Sequence, residues 1–174
     1  MSIIIEESNM KFGPYSENDV FHIETCQLYR QIQQGVKIGE FVLHRLSKAN
    51  QPALWIAEAK SSSPHPENDK KFATFIEEIA EKMNNTLSLL FALMLHRHPE
   101  HEEQLPASCT ATDIPSCSVR FVLVIPQHPT ASLDPIKLAL NKALNTTINI
   151  WNFGPNAVVV LNKELAARHA LIKD

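Results

Sequence analysis

Glycine is scarce, with four in 174 residues, which excludes a collagen-like repeat and a Gly-rich flexible linker. Cysteine is scarce too. Three of them, an odd number, do not make a secreted disulfide framework. Cys109 and Cys117 share one loop-like stretch, and free thiols in a reducing compartment are the expectation. Basic residues are not in excess: 16 Lys and Arg face 19 Asp and Glu, for a formal net charge of -3. That excludes a strong overall nucleic-acid footprint. Long apolar runs are also missing. The longest, Leu87 to Leu95, contains Ser88 and is too short to span a bilayer. Met1 to Glu7 lacks the basic start and apolar stretch of a signal peptide. These absences point to a cytoplasmic protein with no membrane segment. Phosphate-cradling GxxxxGK[ST] and GxGxxG patterns, the GxSxG elbow and CxxC pairs are all lacking.

What is present is ordinary globular material, 44% hydrophobic and 20% charged. Its length fits a single domain over residues 1–174. Residues 2–7 are rich in Ile and suggest a short strand, and Met10 to Glu17 reads as a loop around Gly13 and Pro14. Phe21, Leu28 and Ile32 then share one helical face over Asp19–Gln33, with Gly35 as the stop. Glu40 to Leu46 and Ala53 to Lys60 read as strands joined by a polar turn. The second is apolar almost to its end, as suits a central strand covered on both faces. Apolar residues at threes and fours mark a helix over 67–97, with a break expected near Asn84 and Asn85. Pro99 to Pro115 reads as a surface loop and Val119 to Ile125 as a core strand. A helix over Leu133–Leu144, short strands at Ile148–Trp151 and Ala157–Leu161, and a helix over Lys163–Ile172 complete the chain. The fold class is α/β, a mixed central sheet flanked by helices.

The end of the second strand is where chemistry is expected. Residues i and i+2 of a strand share a face, so Glu58 and Lys60 point the same way. An unpaired charge beside a core is costly, and a divalent cation would satisfy the carboxylate. Glu40 starts the preceding strand, and an antiparallel pair brings the start of one strand beside the end of the next. Glu24 lies at the edge of the first helical face. Carboxylates converging with one lysine suit Mg²⁺ or Mn²⁺, which take oxygen ligands. Such an ion activates water and offsets charge on a phosphodiester, while the lysine orients the water or stabilises the phosphorus centre. The competing account makes Glu58 and Lys60 a solvated strand end, or a cross-strand pair with Arg45 worth about 0.2–1 kcal/mol.

Glu58-Ala59-Lys60 at an apolar strand end, with Glu40 upstream, resembles the (D/E)xK half of the PD-(D/E)xK nuclease superfamily. The element order over residues 19–161 resembles that superfamily's restriction-endonuclease-like core. The resemblance implies Glu40 and Glu58 as metal ligands, Ala59 offering its carbonyl, Lys60 as catalytic lysine and Glu24 as the helix acid serving the metal-bound water. Glu40 departs from the usual aspartate by one methylene, and Gly39 stands where the family has proline. The function so implied is Mg²⁺- or Mn²⁺-dependent hydrolysis of nucleic acid. Lys37, Arg45, Lys48, Lys70 and Lys71 are the basic residues expected near the site. They are few, so weak binding of nucleic acid by the chain alone is expected at physiological salt. A different class of function is a catalytically idle module of the same fold, serving as a subunit of a larger, defence-related assembly. The apolar 87–95 helix would then meet a partner subunit or a second copy, whereas in an autonomous domain it is simply buried. His96, His98 and His101 lack the i, i+4 spacing of a helical zinc pair and read as a polar helix end.

Overall fold

The computed structural model describes residues 1–173. Five strands form the main sheet: β3 (Val20–Phe21), β4 (Phe41–Leu46), β5 (Pro52–Ala59), β6 (Ser118–Val124) and β7 (Val158–Leu161), paired in that order. β3, β4 and β5 run antiparallel, whereas β5, β6 and β7 run parallel. Parallel neighbours need a crossover. The helices α2 (Asp69–Met94) and α4 (Leu133–Trp151) supply it and pack against each other. The architecture is mixed α/β.

Strand periodicity divides the core. Val42, Leu54, Ile56, Phe121, Leu123, Val158 and Val160 face α2 and α4. Phe41, Leu43, Ala57, Ala59, Val122 and Val124 face the other way. That second face is covered by a hairpin of β1 (Ser2–Glu7) and β2 (Met10–Ser16), together with α5 (Lys163–Arg168). Buried on both sides, β5 is the apolar central strand its sequence suggests.

Several sequence expectations are corrected. Residues 10–16 form a strand, not a loop, because Met10, Phe12 and Tyr15 point inward around the Gly13-Pro14 step. Gly13 holds φ +101°, where a side chain would meet the Ile3 carbonyl at 2.7 Å. The helix expected over 19–33 is β3, a 3₁₀ turn (Ile23–Thr25) and the short α1 (Gln27–Ile32). Val20 and Phe21 are drawn into pairing with Leu43 and Val42, and Cys26 caps α1 by accepting from the Tyr29 N–H. Ile32, expected on a buried face, is 42% exposed.

α2 runs unbroken for 26 residues, about 39 Å at 1.5 Å per residue. Its two asparagines find partners off the helix instead of breaking it. Asn84 accepts from the Thr147 hydroxyl at 2.6 Å, and Asn85 donates to the Lys37 carbonyl at 2.9 Å. The helix starts at Asp69. Residues 148–151 are the last turn of α4, not a strand. Ile136, Leu140, Leu144 and Ile148 keep one buried stripe, and Asn152 ends it in the left-handed region at φ 54°. α5 stops at Arg168, and Leu171 and Ile172 turn back onto the hairpin. Leu87, Leu89, Leu90, Phe91 and Leu93 of the apolar helical segment are buried within the fold. No helix of the described residues is long and apolar enough to cross a membrane.

Candidate functional site

The Glu40 N–H donates to the Ala57 carbonyl at 3.0 Å, next to the β4–β5 register that starts with Phe41 opposite Ala57. Glu40 and Phe41 thus both lie against Ala57, a bulge-like step that leaves Glu40 beside the end of β5. Glu58 belongs to the α2 side of the sheet by alternation with Leu54 and Ile56. Gly39 enters against β5 with no room to spare. A Cβ there would stand 3.0 Å from the Ala57 carbonyl and 3.7 Å from Glu58 Oε2. Its N–H donates to the Thr86 hydroxyl of α2 at 2.7 Å.

Glu58 is fully buried. Its Oε1 accepts from Lys82 Nζ at 2.8 Å and lies 3.1 Å from Lys60 Nζ. Its Oε2 is buried with no hydrogen-bond partner among the described residues. A solvated strand end is therefore not what this residue is. Arg45 is not its partner either, since Arg45 pairs in register with Ala53, at the opposite end of β5 and on the opposite face. Lys82 also lies 3.8 Å from Glu40 Oε1. Burial pulls the Lys82 ammonium down, but Glu58, then Glu40 and Glu24, outweigh that and hold it above its ordinary value.

Glu40 is buried and shares a hydrogen bond with Glu24. Burial, the Glu58 charge and that bond push its carboxyl up to about 8, so it keeps its proton at neutral pH. Glu24 stands in the 3₁₀ turn after β3, not on a long helix. There it meets Glu7 at the end of β1 and His22, with one ligand atom of each within 4.8 Å of the others. Burial and the Glu24 charge raise the Glu7 carboxyl as well. Ala59 turns its side chain to the hairpin face, and its carbonyl accepts from Ser8 Oγ at 3.0 Å. Lys60 follows β5 with its ammonium part-exposed, and its N–H continues the parallel ladder to the Val124 carbonyl at 2.9 Å.

The structure thus brings Glu24, Glu40, Glu58 and Lys60 together, with the Ala59 carbonyl at the same strand end. Glu7, His22 and Lys82 join them unforeseen. Lys82 had a signal, because it interrupts the apolar stripe of Ile79, Met83 and Thr86 on α2. Glu7 had none, since its place depends on how the hairpin docks. Of the basic residues expected nearby, Arg45 and Lys48 lie at the other end of the sheet, and Lys37 is paired with Glu78 at 3.7 Å and Glu81 at 3.9 Å. His101 is not part of a solvated helix end. It is buried, 3.3 Å from Gln31 Oε1 and 3.0 Å from Gln104 Nε2.

Chemically, the cluster offers several carboxylate oxygens, one imidazole and two ammonium groups. Such a set can hold a hard cation, move a proton between Glu40 and Glu24, and present Lys60 to an anion. No family model matches the chain, and neither does any curated protein or solved structure.

Proposed function

We propose that this chain is a Mg²⁺- or Mn²⁺-dependent phosphodiesterase acting on nucleic acid, built on a restriction-endonuclease-like core. The observation that carries the reading is the orphaned Oε2 of Glu58, a buried carboxylate oxygen with no donor among the described residues, beside a second buried acid. Burying such an atom without a partner is costly, and a cation is the partner its chemistry asks for. The donors fit a hard ion, for which carboxylate oxygens are the usual ligands. Glu40 and Glu58 would hold it, with Glu24 next to them and the Ala59 carbonyl retaining a second lone pair.

A bound ion supplies an activated water and offsets charge at phosphorus. The other tasks fall to the chain. Lys60 reaches from the strand end towards solvent and donates to a phosphate oxygen, stabilising the charge that grows there. Lys82 is a positioning residue: it fixes Oε1 of Glu58 and so aims Oε2. Glu40 would have to lose its proton to hold an ion, and Glu24 is the carboxylate beside it. With a net charge of -3, the chain binds nucleic acid weakly by itself and works best with a partner that supplies the backbone contacts.

A second reading is favoured by one specific distance set. Lys82 lies within reach of both carboxylates and so acts as a built-in cation in a catalytically idle interaction module. Calorimetric Mn²⁺ titration of the wild type, Glu58→Ala and Lys82→Ala separates the two. The hydrolase reading expects binding by wild type that Glu58→Ala abolishes, followed by Mn²⁺-dependent cleavage of DNA or RNA that Lys60→Ala removes. Binding by Lys82→Ala alone would instead support the idle module. No binding by any form, with no cleavage in the presence of Mn²⁺, would overturn the hydrolase reading.

A further inference from the structure

The opposite face and opposite end of the sheet carry a second concentration of charge, of the other sign. Leu43, Trp55 and Arg120 stand in one row across β4, β5 and β6. Arg45, one step along β4, lays its guanidinium over the Trp55 ring at 4.7 Å from the centroid. Lys48 from the β4–β5 turn and Arg168 and His169 from the end of α5 close a cavity of about 370 Å³ around them. That size is within the range of small-ligand sites, roughly 300–1,000 Å³. Trp55 lies three residues before Glu58, about 10 Å along the strand and on the other face. The cavity is therefore separate from the carboxylate cluster.

Its three guanidinium groups are already fixed, two by neutral carbonyls and one by an acid that does not line the cavity. Arg45 donates to the His169 carbonyl at 2.6 Å. Arg120 donates to the Asn156 carbonyl, and Arg168 to Glu164. Each guanidinium has five N–H donors, so several remain for a ligand. Among the described residues no carboxylate lines the cavity, and of its four cations only Arg168 is paired with an acid. Arg45 is half-buried with a carbonyl and an indole for company, which leaves its charge without a counter-ion among the described residues. Three cations without an acid partner, with Arg168 beside them, exceed what one carboxylate needs and suit a dianion.

We propose that this cavity binds the dianionic phosphate of a nucleotide, either a free polyphosphate nucleotide or the terminal phosphomonoester of a strand. Arg45 and Arg120 give the fixed donors, and Lys48 and Arg168 the outer charges. The proposal stands apart from the hydrolase reading, since no residue is shared.

Trp55 and Trp151 are the chain's two tryptophans, so Trp151→Phe leaves Trp55 as the fluorescent reporter. The probes are inorganic pyrophosphate, ADP, adenosine, and one oligonucleotide with a 5′-phosphate or a 5′-hydroxyl. The expected result is a saturable fluorescence change with pyrophosphate and with ADP or the 5′-phosphorylated strand. Affinity should drop at least tenfold in Arg120→Ala and in the surface variant Lys48→Glu. It should be unchanged in Glu58→Ala. Tighter binding of ADP identifies a free nucleotide as the source, and tighter binding of the phosphorylated strand identifies a strand end. No saturable response to any phosphate probe overturns the proposal. So does equal binding of adenosine and ADP together with equal binding of the two strands, or an affinity that neither charge variant lowers.

Discussion

Lys82 donates to Oε1 of Glu58 at 2.8 Å, so a side chain of α2 and a fully buried side chain of β5 form one ion pair behind the site. The same ammonium leans towards Glu40 at 3.8 Å. Removing it leaves Glu58 buried with Lys60 as its remaining counter-ion. Loss of one partner from a buried pair typically costs about 3–5 kcal/mol. Lys82→Met is expected to lose stability of that order in urea unfolding. The double variant Glu58→Gln/Lys82→Met should recover most of it, because the one charge left unpaired, on Lys60, is part-exposed to water.

Glu40 gives the metal-free protein a pH dependence of definite sign. Its carboxyl is raised from 4.5 to about 8 on folding. Between those values the folded chain holds a proton that the unfolded chain releases, so stability falls as pH rises through that window. Urea unfolding in chelator should show the protein more stable at pH 5.5 than at pH 8.5 (both values taken about the window just named). Glu40→Gln should flatten most of the slope. Glu7, raised in the same direction, keeps a remainder.

Gly39 tests the closeness of the entry strand to α2. A methyl group there meets the Ala57 carbonyl at 3.0 Å and the Thr86 hydroxyl at 3.4 Å. Gly39→Ala is expected to cost about 1–3 kcal/mol, as overpacking does. Thr86→Val leaves the Gly39 N–H without its acceptor and costs a comparable amount, about 1–3 kcal/mol. Thr86→Ser should be nearly neutral by the same urea measurement.

The hairpin is held by a bond that can be removed cleanly. The Tyr15 hydroxyl donates to the Leu171 carbonyl at 2.6 Å in a buried setting. Tyr15→Phe is expected to lose about 1 kcal/mol. Hydrogen exchange should then rise at the amides of Phe12 and Gly13 while β5 and β6 stay protected.

The central strands, α2 and the closeness of Glu40 to Glu58 were legible because each rests on local pattern. An apolar run, a stripe at threes and fours, and a short turn between two strands are all written within a few dozen residues. What escaped depends on distant partners. Met10–Ser16 resembles a loop until Leu171 and Ile172 are there to pair with it. Asn84 resembles a helix break until Thr147 arrives to meet it. Val20 and Phe21 have a helical spacing with Leu28, yet β4 claims them. The site divides along the same line. Glu58 and Lys60 are near neighbours on one strand, whereas Glu7, His22 and Lys82 reach them only through the tertiary fold.

The hairpin has a consequence for the timing of assembly. Glu7, which precedes β4, β5 and α2 in the chain, takes its place beside His22 and Glu24 on an arm whose inner strand is fastened by residues 171 and 172. A growing chain can form β4, β5 and α2 while those fasteners are still unmade. The carboxylate cluster is therefore completed after the central sheet, when translation has passed residue 172. A nascent chain arrested before that point would carry Glu40 and Glu58 without their seventh-residue neighbour, an incomplete centre on an otherwise folded sheet.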